Sequence, residues 1–169
     1  SRRAGTIAEM QNWEDVLEFL KPKQPPFCPE QASMTQQVFL RCNALEALFG
    51  GAAGGGKSSA LLMAALQYVD VPGYSAGLFR RTFADLSLPG ALMDRLREWV
   101  APIPEVHWNA STYTATFPSG ARITFGYLNN RDDYLRYKGA EYQFIGMDEV
   151  TEIREEDYRY LFSRLRRDR

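Results

Sequence analysis

Residues Gly51-Ala52-Ala53-Gly54-Gly55-Gly56-Lys57-Ser58 satisfy the pattern G-x-x-x-x-G-K-[ST]. Glycines at these spacings let successive backbone N–H groups converge on phosphate oxygens. The arrangement works when the loop turns directly into a helix whose positive end faces the same point. The pattern therefore asks for a strand before it and a helix after it, and the flanking residues offer both. Ala44 to Phe49 is a short apolar run stopped by glycines, which reads as a buried strand. Lys57 to Val69 is rich in Ala and Leu and halts at Pro72-Gly73, as a helix does. In this frame Lys57 reaches the β- and γ-phosphates and the Ser58 hydroxyl holds Mg²⁺, with Ser59 and the loop residues Gly51 to Gly56 lining the nucleotide. A flexible glycine loop is the competing explanation, and the flanking elements argue against it.

The rest of the chain extends the alternation of strand and helix. Ser75 to Arg81 resembles a second buried strand, and Pro89 suits the first turn of a helix carrying Leu92, Met93, Leu96, Trp99 and Val100. Residues 106 to 128 change rhythm. They alternate through Tyr113-Thr114-Ala115-Thr116-Phe117, turn at Pro118-Ser119-Gly120 and alternate again through Ile123 to Tyr127, a β-hairpin. Phe144 to Met147 is another apolar run, ending in Asp148-Glu149. A last helix near 154–167 has Glu155-Glu156-Asp157 at its start, Arg164, Arg166 and Arg167 at its end, and an apolar stripe of Tyr158, Leu161, Phe162 and Leu165.

Ahead of the loop, Ser33-Met34-Thr35-Gln36 fits a capping box and starts a helix near 34 that should end around Asn43. Residues 6–21 carry an amphipathic pattern, and four prolines between 22 and 29 form an extended connector. The expected organisation is a helical arm and Pro-rich connector over 1–29 and one domain over 30–169. The fold class expected is α/β, a P-loop NTPase of the ASCE type, with a mainly parallel sheet flanked by helices and a β-hairpin insertion.

Composition narrows the chemistry. A length of 169 residues with 45% hydrophobic content suits one domain with a real core and excludes intrinsic disorder. A net charge of -1 leaves nucleic-acid binding to local patches. The longest apolar stretch, Ala60 to Leu66, is far short of the roughly 20 residues that span a bilayer. The N-terminus lacks the pattern of a signal peptide, so a cytoplasmic location is expected. With only Cys28, Cys42 and His107 available, a disulfide framework, a zinc site and a Ser/His/Asp triad are all disfavoured. Chemistry must rest on carboxylates, Lys, Arg, backbone amides or bound Mg²⁺.

The acidic pair fits that inventory. Asp148 at a strand end would bind Mg²⁺, directly or through water, and Glu149 would orient and deprotonate an attacking water. Arg80 and Arg81 end the second strand, on the edge where ligands of open α/β sheets sit. Either contacts a nucleotide phosphate, and a solvated strand end or a contact with DNA would account for them equally. Arg136 and Lys138 could supply transition-state charge within the chain or to a neighbouring subunit, or form an ordinary basic loop. His107, beside Trp108 in a strand, reads as structural.

Together, Leu48 to Ser58, then Phe79-Arg80-Arg81-Thr82-Phe83-Ala84-Asp85-Leu86, then Arg136-Tyr137-Lys138-Gly139 through Met147-Asp148-Glu149, resemble the ATPase domain of a tailed-bacteriophage terminase large subunit, over about residues 34 to 168. The resemblance implies an ATP-driven motor that assembles as a ring on the portal of an empty capsid and drives double-stranded DNA inside. It implies ATP and Mg²⁺ as ligands. The implied partners are DNA, the portal protein and the small terminase subunit, in the host cytoplasm and transiently at the procapsid. Gln36 falls at the family's adenine-contacting glutamine, although the capping box explains it without a ligand. Lys57 and Glu149 fall at catalytic positions, and Ser58 and Asp148 at the metal. Arg136 or Lys138 falls near a trans-acting arginine finger, and of the two only Arg136 carries the guanidinium fork. The family's coupling motif on the next strand and its nuclease domain would lie beyond Arg169, so the chain reads as a fragment to which DNA cleavage is not assigned. Another P-loop translocase or helicase, or an ATP-binding assembly module without turnover, are the rival readings.

Overall fold

Four consecutive apolar residues, Ala76-Gly77-Leu78-Phe79, are buried on both faces of strand β1, Ser75–Arg80. Such a continuous run belongs to a parallel strand covered on both sides. In the computed structural model, which describes residues 28–51 and 56–166, β1 pairs in parallel with β4 (Arg122–Tyr127) on one edge and β5 (Phe144–Met147) on the other. Beyond β4 the pairing turns antiparallel, through β3 (Thr114–Thr116) to β2 (His107–Asn109). The five-stranded sheet has the order β2-β3-β4-β1-β5. It is mixed, with the parallel pairs gathered around β1. The expected hairpin forms, with Gly120 at φ +85° in its turn. It is no lateral insertion, because its second strand is the parallel neighbour of β1.

One face of the sheet is covered by α2 (Lys57–Leu66) and α4 (Leu92–Val100). Leu62, Leu66, Leu78, Leu96 and Ile123 meet there, each fully buried. Burying such a side chain contributes about 1.5–3 kcal/mol, so this layer sets where α2 lies. Because α2 is buried on most sides, its sequence shows little amphipathicity. The opposite face carries a smaller core of Phe79, Leu128, Tyr142 and Leu161, closed by α5 (Glu155–Phe162) and a 3₁₀ turn, Asp133–Tyr137. The Phe79 ring lies against the sheet, where Cβ atoms on Gly77 and Gly126 would fall 2.6 and 2.5 Å from it. Those two glycines make room for one aromatic.

The structure corrects several boundaries. Ala44 to Phe49 forms no strand; Leu45 and Leu48 are 58% and 82% exposed. Both edges of β1 are taken by β4 and β5, and the run does not pair with the outer edge of β5 either. It is held instead by Phe49 stacking on Phe39 at 4.8 Å and by the Tyr158 hydroxyl donating to Glu46. Helix α1 is Met34–Leu40, with the Ser33–Gln36 capping box in place, and ends at Arg41 before Asn43. Pro89 precedes α4, whose N-cap is Ala91. A further short helix, α3 (Phe83–Ser87), was not anticipated. Helix α5 stops at Phe162, so Arg164 and Arg166 lie past its last turn, and of its stripe only Leu161 is fully buried. After that turn the chain makes a parallel bridge from Leu165 to Tyr142, just ahead of β5. The amphipathic arm at 6–21, nearly all of the proline connector, and Arg167 lie outside the described residues. Among the described residues no helix is long and apolar enough to cross a membrane.

Candidate functional site

The candidate site forms where the start of α2 meets the C-terminal ends of β1 and β5. Gly56 is the N-cap of α2 with φ +70°, a conformation that disfavours any residue with a Cβ. A Cβ there would also lie 2.6 Å from Gln36 Nε2. Gln36 is buried, accepts from the Ser33 amide at 2.8 Å and donates Nε2–H to the Gly56 carbonyl at 2.9 Å. The capping box therefore ties α1 to the end of the loop. Lys57 Nζ donates to the Gly51 carbonyl at 2.9 Å, bridging the loop's two ends. Ala52, Ala53, Gly54 and Gly55 lie outside the described residues.

The parallel register fixes what faces Ser58. Phe79 is paired with Met147, and the Asp148 amide donates to the Phe79 carbonyl at 2.9 Å, so the ladder holds Asp148 beside Arg80. Leu78 and Gly146, two residues earlier on each strand, face Leu61 of α2. Strand alternation therefore puts Arg80 and Asp148 on the α2 side as well. Ser58 Oγ lies 3.2 Å from both Asp148 carboxylate oxygens, across 90 positions of sequence. The Asp148 side chain is only 7% exposed, and Arg80 Nη1 approaches its Oδ2 at 3.6 Å. Glu149, next in the chain, is exposed and adopts φ 51°, ψ 51°, the left-handed region that side-chain-bearing residues avoid. Its strained backbone ends the strand and turns into a 3₁₀ turn, Val150–Glu152.

Ser58 and Asp148 supply hard oxygen donors of the kind Mg²⁺ takes, which uses one or two protein ligands completed by phosphate oxygens and water. Their 3.2 Å separation is close to the edge, roughly 3 Å, of an octahedron with bonds of about 2.0–2.1 Å. Among the described residues no three His, Cys, Asp or Glu gather into an all-protein cage.

The family model for the terminase large subunit, T4likevirus-type, N-terminal, matches residues 48–169. The chain belongs to this family. Family membership assigns it to the DNA-packaging machinery of bacteriophages. The match takes in Ser58, Arg80, Arg136, Asp148 and Glu149 and leaves Gln36 outside. No curated protein and no solved structure matches the chain.

The other candidate residues of this terminase domain are spread around the centre. Ser59 is buried and its hydroxyl accepts from Arg95 of α4. Arg81 is exposed at the end of β1. Arg136 pairs with Asp133 at 3.1 Å and lies 4.6 Å over the Tyr127 ring, and Lys138 is exposed in the same loop. His107 is an exposed residue of β2, paired with Thr116.

Two supports went unread in the sequence. Thr82 caps α3, accepting from the Asp85 amide at 3.1 Å, and the Asp85 carbonyl accepts from Arg80 Nη1 at 3.3 Å. The spacing T-x-x-D is a legible capping signal. The Tyr137 hydroxyl accepts the Tyr127 amide at 2.9 Å and donates to the Tyr127 carbonyl at 3.1 Å, tying the Arg136 loop to β4. Burial pushes the Tyr137 phenol up to about 12, against the lowering effect of its bond to the Tyr127 backbone. No sequence signal marks that pairing.

Proposed function

We propose that this chain is the ATPase motor domain of a viral DNA-packaging terminase, hydrolysing ATP to move double-stranded DNA into a procapsid. The observation that carries the reading is the meeting of Ser58 and Asp148 at the N-terminal end of α2, directly after the G-x-x-x-x-G-K-S sequence. Backbone amides at the start of α2 and the Lys57 ammonium would bind the β- and γ-phosphates. Ser58 and Asp148 would hold Mg²⁺, which when bound neutralises charge on the phosphate oxygens. The exposed Glu149 carboxylate would take a proton from water as the water oxygen bonds to the γ-phosphorus and the bond to the ADP oxygen breaks. The catalytic work is positioning and electrostatics.

Family membership supports DNA, the portal and the small subunit as partners; we further propose that the chain acts in the host cytoplasm, with copies arranged as a ring. Arg136 is already paired within its own chain, so a role on a neighbour's nucleotide would require it to leave Asp133 and Tyr127.

Mg²⁺-dependent ATP turnover, with Lys57→Ala as blank, tests the reading. Turnover should vanish in Lys57→Ala, and Glu149→Gln should retain bound ATP without hydrolysing it. Normal turnover in Lys57→Ala would overturn the assignment, and unchanged hydrolysis in Glu149→Gln would move the base elsewhere.

A further inference from the structure

Arg80 is half-buried, its side chain 22% exposed, and makes an incomplete set of contacts. Its Nη1 sits 3.6 Å from Asp148 Oδ2, an ion-pair distance longer than the 2.7–2.9 Å of a charge-assisted hydrogen bond. The same Nη1 reaches the Asp85 carbonyl at 3.3 Å. Its Nε is buried and donates to no acceptor among the described residues. Arg–carboxylate pairs frequently fork with two parallel bonds, and this one does not. Asp148 meanwhile takes one hydroxyl, Ser58, shared between its two oxygens. Both partners of this ion pair are held loosely by groups that could bond them better.

We propose that Arg80 is the counter-ion that a divalent metal displaces. Its guanidinium holds the Asp148 carboxylate under Ser58, competes with the cation for that carboxylate, and passes to the nucleotide's phosphate oxygens once the cation has taken it. The inference rests on the reading of the site as a Mg²⁺–ATP site. The charge logic is short. A guanidinium keeps its charge in proteins and so leaves one anion only for another. A dication bound to Asp148 would repel the guanidinium, whose Nη1 lies 3.6 Å from that carboxylate. The phosphates arriving over the glycine loop are the nearest new anions, and the unbonded Nε supplies a donor for them. Arg81, exposed at the next position, has no such place beside Asp148. Arg80 thereby acts as a positioning residue for the metal ligand, and metal and nucleotide bind as a unit because each relieves what the other would leave unpaired.

The test separates the two halves of the exchange. Mn²⁺ binding without nucleotide is measured from the free-Mn²⁺ paramagnetic resonance signal, and binding of a fluorescent ATP analogue is measured in Mg²⁺. Arg80→Gln should bind Mn²⁺ alone about tenfold more tightly, having lost the competing charge, and the Mg²⁺–nucleotide about tenfold more weakly. Arg80→Lys, which keeps the charge, should leave Mn²⁺ affinity close to wild type. Unchanged or weaker Mn²⁺ binding in Arg80→Gln overturns the proposal, as does a gain in Arg80→Lys equal to that in Arg80→Gln. Should the variants fold poorly, the wild-type arginine Nε–H resonances serve. One should move to a hydrogen-bonded position on adding Mg²⁺–ATP, and no movement in a nucleotide-bound chain overturns the exchange. If the wild-type chain binds no Mg²⁺–nucleotide, the site reading itself fails. If it binds and Arg80→Gln leaves Mn²⁺ unchanged, only the Arg80 exchange fails.

Discussion

Replacing Glu149 with glycine should make the protein more stable while removing its proposed base. The residue sits at φ 51°, ψ 51°. A residue with a Cβ costs roughly 1–2 kcal/mol in that region. Glycine adopts it freely but gives back about 0.5–1 kcal/mol through the greater freedom of its unfolded chain. The Glu149 side chain is exposed, so its loss should cost little packing. The difference is a net gain of about 0.5–1 kcal/mol for Glu149→Gly. For a chain of 169 residues that corresponds to a rise in Tm of about 1–4 °C. Glu149→Ala keeps the Cβ and the strain, so it should melt with the wild type, and both variants should lose ATP turnover. Calorimetric or circular-dichroism melts of the three proteins side by side decide the matter. If the Gly and Ala variants melt together, or the Gly variant melts lower, Glu149 is not strained and the argument from its backbone falls.

Two other outcomes follow from the packing around Phe79 and Tyr137. Gly126→Ala would bring a Cβ to 2.5 Å from both the Phe79 ring and the Tyr137 hydroxyl; denaturant titration should show a loss of about 1–3 kcal/mol, and a neutral result would mean the ring is not held there. Tyr137 holds its proton up to about 12 in the folded protein, whereas the unfolded phenol releases it near 10. Its contribution is therefore complete below pH 10 and lost as pH rises towards 12. Tyr137→Phe should flatten that alkaline decline in melting temperature while lowering stability at neutral pH, and an unaltered slope would contradict the burial assigned to the phenol.

Much of the site was legible because its signals are local. The glycine loop, the capping box at Ser33–Gln36 and the hairpin turn at Pro118-Ser119-Gly120 each follow from a few neighbouring residues, and each of the last two forms where expected. Period-two alternation marked the hairpin, and an apolar run ending in Asp148-Glu149 marked β5. Ala44 to Phe49 shows where such reading stops. Its apolarity matches that of Phe144 to Met147, yet one run joins the ladder and the other does not. Apolarity alone does not choose between them, because strand formation depends on the packing of the whole sheet around each run. The same holds for the Ser58–Asp148 meeting and for Arg80. The sequence could place two arginines at a strand end, but only the register between β1 and β5 selects Arg80 as the one beside Asp148. Gln36 shows a residue whose local explanation was true and incomplete, since its amide also clamps Gly56.

The central claim is that Ser58 and Asp148 form one metal-assisted phosphate site, and the Mg²⁺ dependence of nucleotide binding tests it most directly. A fluorescent ATP analogue titrated into the wild-type chain and into Asp148→Asn, with and without Mg²⁺, gives the answer in one experiment. The account predicts that Mg²⁺ strongly tightens binding to the wild type and leaves Asp148→Asn unaffected. Equal tightening in both proteins would contradict it.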